Sequence, residues 1–138
     1  DLLLCEDDII FSEYWYSSLL QIVEILKTTI GDRFALSLYS PHAWPQDSVI
    51  LEYPKHMFWG AQCMFYTHSV AQELKDYIYV NGISNYQLPS DLLIQRFCQE
   101  RDVNLYTVTE SLVQHIGTES TGVGFWHSSP SFIGNSNP

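Results

Sequence analysis

An α/β fold is predicted by the alternation of strand-like and helix-like patterns along the chain. The chain opens on the continuous apolar run Leu2–Cys5, which is typical of a strand buried on both faces in the middle of a sheet. An amphipathic pattern with the helical period follows over residues 12–30. We therefore expect a sheet with helices above and below it and with the Leu2–Cys5 strand at its centre.

The remaining elements follow from local signals. Ser12 is a candidate N-cap for the first helix, and Gly31 is a typical stop. Gly60 interrupts an aromatic segment that otherwise resembles a strand. Further helices are predicted over residues 70–80, capped by Ser69, and 91–101, and strands over residues 34–39, 49–53, 57–67 and 104–109, with a short apolar segment over residues 111–116.

Length, composition and charge exclude several classes of protein. The chain has 138 residues, about one domain, and 46% of them are hydrophobic, which excludes a disordered acidic tail. A net charge of −10 with six Lys and Arg residues excludes a basic nucleic-acid surface, so we expect no nucleic-acid partner. No apolar run approaches the roughly 20 residues of a membrane-spanning helix, and no signal peptide is visible. We expect no transmembrane segment and a cytoplasmic location.

The cysteines indicate free thiols. Cys5, Cys63 and Cys98 are odd in number and form no CxxC pair, which argues against a structural zinc site. All three lie in apolar surroundings, so we expect buried free thiols. A disulfide is the alternative.

The first candidate for chemistry is the acidic turn, residues Glu6, Asp7 and Asp8, directly after the first strand. Ligands of open α/β sheets bind at the carboxyl ends of strands, and carboxylate oxygens suit Mg²⁺ or Mn²⁺. The alternative is a solvated turn in which Asp8 complements the N-terminus of the following helix.

Two further segments are candidates for substrate binding and proton transfer. Trp59, Gly60 and Ala61 combine a flat apolar ring with a glycine that marks a bulge or a close approach to a ligand; ordinary aromatic packing is the alternative. Asp91 opens a helix after Pro89, where it either complements the helix dipole or is held rigidly as a general base.

The last candidate is His115, followed by Gly117 and the glycine-containing loop 118–126. Imidazole is a normal ligand for Mn²⁺ beside carboxylates, and His127 is a weaker candidate of the same kind. The alternative is a core histidine with one satisfied nitrogen.

In their order along the chain, these segments resemble the GT-A glycosyltransferases. Cys5-Glu6-Asp7-Asp8 looks like the metal motif of that family in its EDD form, and Trp59-Gly60-Ala61 looks like its donor loop. Asp91 falls at the acidic position called xED, with Ser90 in place of the first acid, and residues 111–117 look like the C-terminal histidine segment. The resemblance covers residues 2–132, and residues 89–93 and 114–117 are also similar to N-acetylglucosaminyltransferase-like members.

The resemblance implies a GT-A-like mixed sheet flanked by helices. Residues 1–138 would form a single partial domain that lacks the N-terminal nucleotide-binding half, with a loop-rich tail over residues 117–138. The apolar surface left by the missing half would favour a homo-oligomer. The location would be the Golgi lumen if the chain belongs to a larger eukaryotic protein.

The resemblance also implies an inverting transfer of a sugar from a nucleotide-sugar donor to a carbohydrate or glycoconjugate acceptor. Asp8 and His115 would hold Mn²⁺ or Mg²⁺, Asp91 would be the base, and the loop 118–126 would close over the diphosphate. The donor would contact Glu6, Asp7, Trp59, Gly60 and Ala61. The alternatives are a truncated, non-catalytic GT-A-like binding module and a metal-dependent hydrolase.

Overall fold

A mixed five-stranded sheet with helices on both faces forms the centre of the computed structural model, which describes residues 1–45, 47–82, 88–117 and 127–134. The predicted α/β class is confirmed. The strands are β1 (Leu2–Cys5), β2 (Ile9–Phe11), β3 (Phe34–Ser37), β4 (Ile50–Glu52), β5 (Cys63–Tyr66), β6 (Asn104–Val108) and β7 (Val113–His115). The helices are α1 (Trp15–Ile30), α2 (His68–Tyr77) and α3 (Ser90–Glu100), with a 3₁₀ turn at Lys55–Met57 and a π turn at Ile78–Gly82.

The prediction that Leu2–Cys5 is the central strand is wrong. The strand order is β1-β5-β3-β6-β4, so β1 lies at an edge and β3 in the middle. The β3–β6 pair is parallel, and the other pairs in this sheet are antiparallel. All four residues of β3 are fully buried, whereas Leu2 and Leu4 are 37% and 45% exposed. An apolar run in the sequence cannot distinguish the two positions, because burial depends on which strands pair beside it.

The two faces of the sheet carry separate apolar clusters. Helix α1 covers one face through Leu19, Ile22, Val23 and Leu26, as its pattern predicts. Helices α2 and α3 cover the other face, where their buried side chains are Val70, Leu74, Tyr77, Ile94, Phe97 and Cys98. Helices therefore lie on both faces, as expected.

The helix ends differ slightly from the predictions. Gly31 ends α1 with a φ of +89°, and its N–H donates to Lys27 O. Ser12 lies outside α1, although its carbonyl oxygen accepts the Trp15 N–H. Ser69 lies within the first turn of α2, and its hydroxyl donates to Asp32 O instead of capping the helix.

A two-stranded ribbon, β2 with β7, was not predicted as a pair. Its antiparallel register places Ile9 opposite His115. The Ile116 N–H donates to Asp8 O at 2.9 Å beyond one end of the pairing, and the Ser12 N–H donates to Leu112 O beyond the other. The three residues of β2 are too few to show a period, but their pairing connects the acidic turn to His115.

The segment predicted as a strand over residues 57–67 is shorter in the structure. Only Cys63–Tyr66 pairs as a strand of the sheet, and Gly60 lies before it with a φ of +96°.

Cys63 and Cys98 are buried, but Cys5 is exposed, so the predicted burial of Cys5 is wrong. The reason is again that β1 is an edge strand. Burial raises the pKa of the Cys98 thiol to about 12, which keeps this thiol protonated.

No helix in the described ranges has the length and hydrophobicity needed to cross a bilayer. The described part of the predicted tail, residue 117 and residues 127–134, contains neither helix nor strand.

The position of β3 at the centre of the sheet leads to a stability prediction. Leu36→Ala removes a fully buried side chain and should lower the free energy of unfolding by about 2–5 kcal/mol. Leu4→Ala in the edge strand is the matched control and should cost about 1 kcal/mol or less, because Leu4 is already half exposed. Urea denaturation measures both. Equal losses would contradict the assignment of β3 as the buried centre.

Candidate metal centre

The acidic turn is held at both ends by backbone hydrogen bonds. At its start the Glu6 N–H donates to Gln62 O at 2.9 Å and extends the β1–β5 ladder by one residue. At its end Asp8 O accepts the Ile116 N–H, beside the β2–β7 ribbon. The turn is therefore placed by two strand pairings, although its own residues are exposed or half-buried.

Three side chains meet at this turn. Glu6, Asp8 and His115 each offer one ligand atom, and these three atoms lie within 4.8 Å of one another. Asp8 Oδ2 is 3.0 Å from His115 Nε2. The structure thus brings Asp8 and His115 together, as the sequence predicts, and adds Glu6, which the sequence assigned to the donor. Asp7 is exposed and is not part of this group.

The hydrogen bond on the far side of the His115 ring determines what its near side can do. His115 Nδ1 lies 3.3 Å from His127 O, a carbonyl oxygen that can only accept, so this contact is a hydrogen bond when the proton is on Nδ1. In a neutral imidazole, Nε2 then presents a lone pair, and this lone pair faces the Asp8 carboxylate. Two such acceptors 3.0 Å apart repel unless a proton or a metal cation lies between them. Metal-binding histidines commonly donate their other N–H to a backbone carbonyl in this way.

Gly117 provides the room for this contact. A Cβ atom at position 117 would overlap Asp8 Oδ2 and would lie 2.9 Å from His115 Nε2. Any larger residue would have to displace the two side chains. The glycine of the His-Ile-Gly segment is therefore required by the close approach of the backbone to the carboxylate.

His127 lies behind His115 and does not belong to the three-residue group. The two rings stack with centroids 4.7 Å apart and an interplanar angle of 17°. His127 Nδ1 is 2.7 Å from the Tyr39 hydroxyl, and Trp59 contacts the same ring edge-on at 5.2 Å. Burial, followed by the neighbouring His115, lowers the pKa of His127. The structure thus makes His127 a support for the ring of His115.

Gln62 belongs to the site, and the sequence carried no signal for it. Gln62 is 5% exposed, and its side chain hydrogen-bonds Glu6. Its Nε2 atom lies 3.4 Å from His127 Nε2. Within the described part of the chain, Gln62 Oε1 has no hydrogen-bond partner. A buried amide oxygen left without a donor costs about 1–3 kcal/mol, so this atom is an acceptor available to a ligand.

Asp91 anchors the segment that precedes β5. Its Oδ1 accepts the Ala61 N–H at 2.7 Å, which connects the first turn of α3 to the Trp59-Gly60-Ala61 segment. Gly60 is explained without a ligand, because its φ is positive and a Cβ would lie 2.9 Å from Tyr39 Cδ1. The contact of this segment with a donor stays a prediction, as does the role of Asp91 as a base.

The site concentrates negative charge. Partial burial raises the pKa of Glu6, and repulsion from Asp8 and Asp91 adds to this effect, while His115 and Gln62 act against it. The ion pairs that Lys and Arg form within the described ranges involve none of Glu6, Asp7, Asp8 and Asp91. A cation would add to the partial offset that His115 and Gln62 provide, and the donor set of two carboxylates and an imidazole fits Mn²⁺.

Comparison of the chain with protein-family models, with curated proteins and with solved structures found no match. The loop 118–126, predicted to close over a diphosphate, lies outside the described residues.

The net repulsion at Glu6 leads to a prediction for the metal-free protein. Glu6→Gln should raise the Tm in chelator at neutral pH, because the amide needs no desolvation of a charge and does not repel Asp8 and Asp91. Asp7→Asn is the matched control and should leave the Tm nearly unchanged, since Asp7 is exposed. A lower Tm for Glu6→Gln would show that the Glu6 charge is compensated.

Proposed function

We propose that this chain is a metal-dependent glycosyltransferase that moves a sugar from a nucleotide-sugar donor to a hydroxyl of a carbohydrate or glycoconjugate acceptor, with inversion. The observation that carries the proposal is the convergence of Glu6, Asp8 and His115 on one site, with Asp91 close enough to raise the pKa of Glu6. The mixed α/β sheet is compatible with a GT-A-like fold, which we propose as its class.

Asp8 and His115, joined by Glu6, would hold Mn²⁺ or Mg²⁺. The bound cation would supply positive charge to neutralise the diphosphate of the donor as a leaving group. The protein's part is to orient the ligands: the hydrogen bond from His115 Nδ1 to His127 O and the stacked His127 ring hold Nε2 towards Asp8. The Lys and Arg ion pairs within the described ranges lie elsewhere, which leaves this charge to the metal.

The donor sugar would lie between the acidic turn and the Trp59-Gly60-Ala61 segment. Trp59 contacts His127, whose ring stacks on the metal ligand His115, and the Ala61 N–H donates to Asp91, so this segment would lie beside both the metal site and the base. Gln62 Oε1 is suited to accept a hydrogen bond from a sugar hydroxyl. Asp7 is an exposed carboxylate that can accept further hydroxyl donors, and Glu6 has a second carboxylate oxygen besides the one that would reach the metal.

Asp91 would act as the general base. The Ala61 N–H engages one carboxylate oxygen and leaves the other to take the proton of the acceptor hydroxyl. The acceptor oxygen then forms a bond to the anomeric carbon, and the bond from that carbon to the diphosphate oxygen breaks with its electron pair. A base on the side opposite the leaving group inverts the anomeric configuration.

Calorimetry with Mn²⁺ tests the metal ligands. Asp8→Asn and His115→Ala should each weaken Mn²⁺ binding by at least about tenfold, because each removes a ligand atom of the group. Asp7→Asn is the matched control and should leave the affinity within a few-fold. A nucleoside diphosphate should bind in Mn²⁺ and not in chelator. Equal binding in both conditions would remove the metal from the proposal.

Release of nucleoside diphosphate in the presence of saccharide acceptors tests the base. Asp91→Asn should reduce transfer by roughly two to four orders of magnitude with nearly unchanged Mn²⁺ and donor binding, because Asn keeps the shape and loses the basic oxygen. Ser90→Ala, one residue away, should stay within about tenfold, well short of that range. Donor binding without transfer in the unmodified chain would identify a binding module.

A further inference from the structure

Two thiols face each other across the pairing of β1 with β5. The antiparallel register places Cys5 directly opposite Cys63, and their Sγ atoms are 3.2 Å apart. Both cysteines are free in this structure. The metal site and the proposed transfer make no use of either thiol.

The type of strand pair suits a covalent bond between them. The Glu6 N–H donates to Gln62 O, so that pair is hydrogen-bonded and the next pair along, Cys5 with Cys63, is not. The carbonyl oxygen of Cys63 agrees with this, because it accepts the Leu38 N–H on the other side of β5. Residues in non-hydrogen-bonded pairs have Cα atoms about 4.5 Å apart, which lies within the range that disulfides span.

The third cysteine cannot compete for this bond. Cys63 belongs to the apolar cluster beneath α1, whereas Cys98 lies in α3 and packs in the cluster on the opposite face of the sheet. The sheet itself therefore separates Cys98 from Cys63. Cys98 is also fully buried, so a reagent that reaches the exposed Cys5 does not reach it.

We propose that Cys5 and Cys63 are a thiol pair that is converted to a cross-strand disulfide by a small-molecule disulfide such as oxidised glutathione. The exposed Cys5 sulfur attacks the reagent and forms a mixed disulfide, and one glutathione thiol leaves. Cys63 then attacks the Cys5 sulfur and forms the Cys5–Cys63 bond. The second glutathione leaves with the proton of the Cys63 thiol. In total, two protein thiols are oxidised and one glutathione disulfide is reduced to two thiols.

The bond would fasten the edge strand that leads directly into the acidic turn. Cys5 precedes Glu6, and β1 is held in the sheet by β5 along one side only. A covalent link at this pair prevents β1 from separating from β5. It does so without passing through any of the candidate metal ligands.

The experiment is oxidation of the folded chain, followed by acid quenching, alkylation in denaturant and mass spectrometry. The expected result is loss of two of the three alkylatable thiols, no retained glutathione, and a linked pair of peptides containing Cys5 and Cys63. Cys98→Ala should form the same bond. Cys63→Ala should retain glutathione on Cys5, and Cys5→Ser, at an exposed position, should form no bond between protein thiols.

Two results would overturn the proposal. One is a stable glutathione adduct on Cys5 of the unmodified chain with Cys63 still alkylatable. The other is a bond from either residue to Cys98, which would show that the reaction occurs in unfolded molecules. The same oxidation in concentrated guanidinium chloride shows which bonds form in unfolded molecules. The preference for the Cys5–Cys63 pair should be lost there.

Discussion

The contact between the Asp8 carboxylate and the His115 imidazole is the constraint around which the candidate site is arranged. The two residues are 107 positions apart in the chain, and their side chains lie 3.0 Å apart because β2 and β7 pair as a ribbon. The backbone approaches so closely at Gly117 that a side chain there would overlap the carboxylate. The stacked ring of His127 and its carbonyl oxygen hold the far side of His115. Each of these features restricts the same imidazole ring.

This contact also explains why the site is electrostatically costly without a cation. Asp8 and Asp91 both act to raise the pKa of Glu6, and a neutral His115 ring with its proton on Nδ1 directs the Nε2 lone pair towards Asp8. Proteins tolerate such arrangements where a ligand compensates them, since perturbed carboxylates concentrate at functional sites. This distribution of charge supports the proposed metal site. Asp91 also does more than complement its own helix, because its carboxylate accepts the Ala61 N–H.

Local patterns predicted much of the fold. The period of apolar residues located α1 with its four buried side chains, and Gly31 marked its end. The order of the strands was not accessible in this way. Leu2–Cys5 and Phe34–Ser37 are both short and mainly apolar, yet the first is an edge strand and the second is the buried centre. Which strand is buried depends on partners from distant parts of the chain, and no window of the sequence contains them.

For the candidate site, the sequence by itself determined the chemistry of the groups: carboxylates in the acidic turn, an imidazole at His115 and a carboxylate at the start of α3. Residue types alone indicate a hard cation and a base, because these are the groups that such chemistry requires. Only the tertiary structure decided the geometry. It added Glu6 to Asp8 and His115, moved His127 behind the site and brought in Gln62, which has no motif of its own. The reason is that ligand distances arise from strand pairing and from the packing of the ribbon and helices against the sheet, which are non-local.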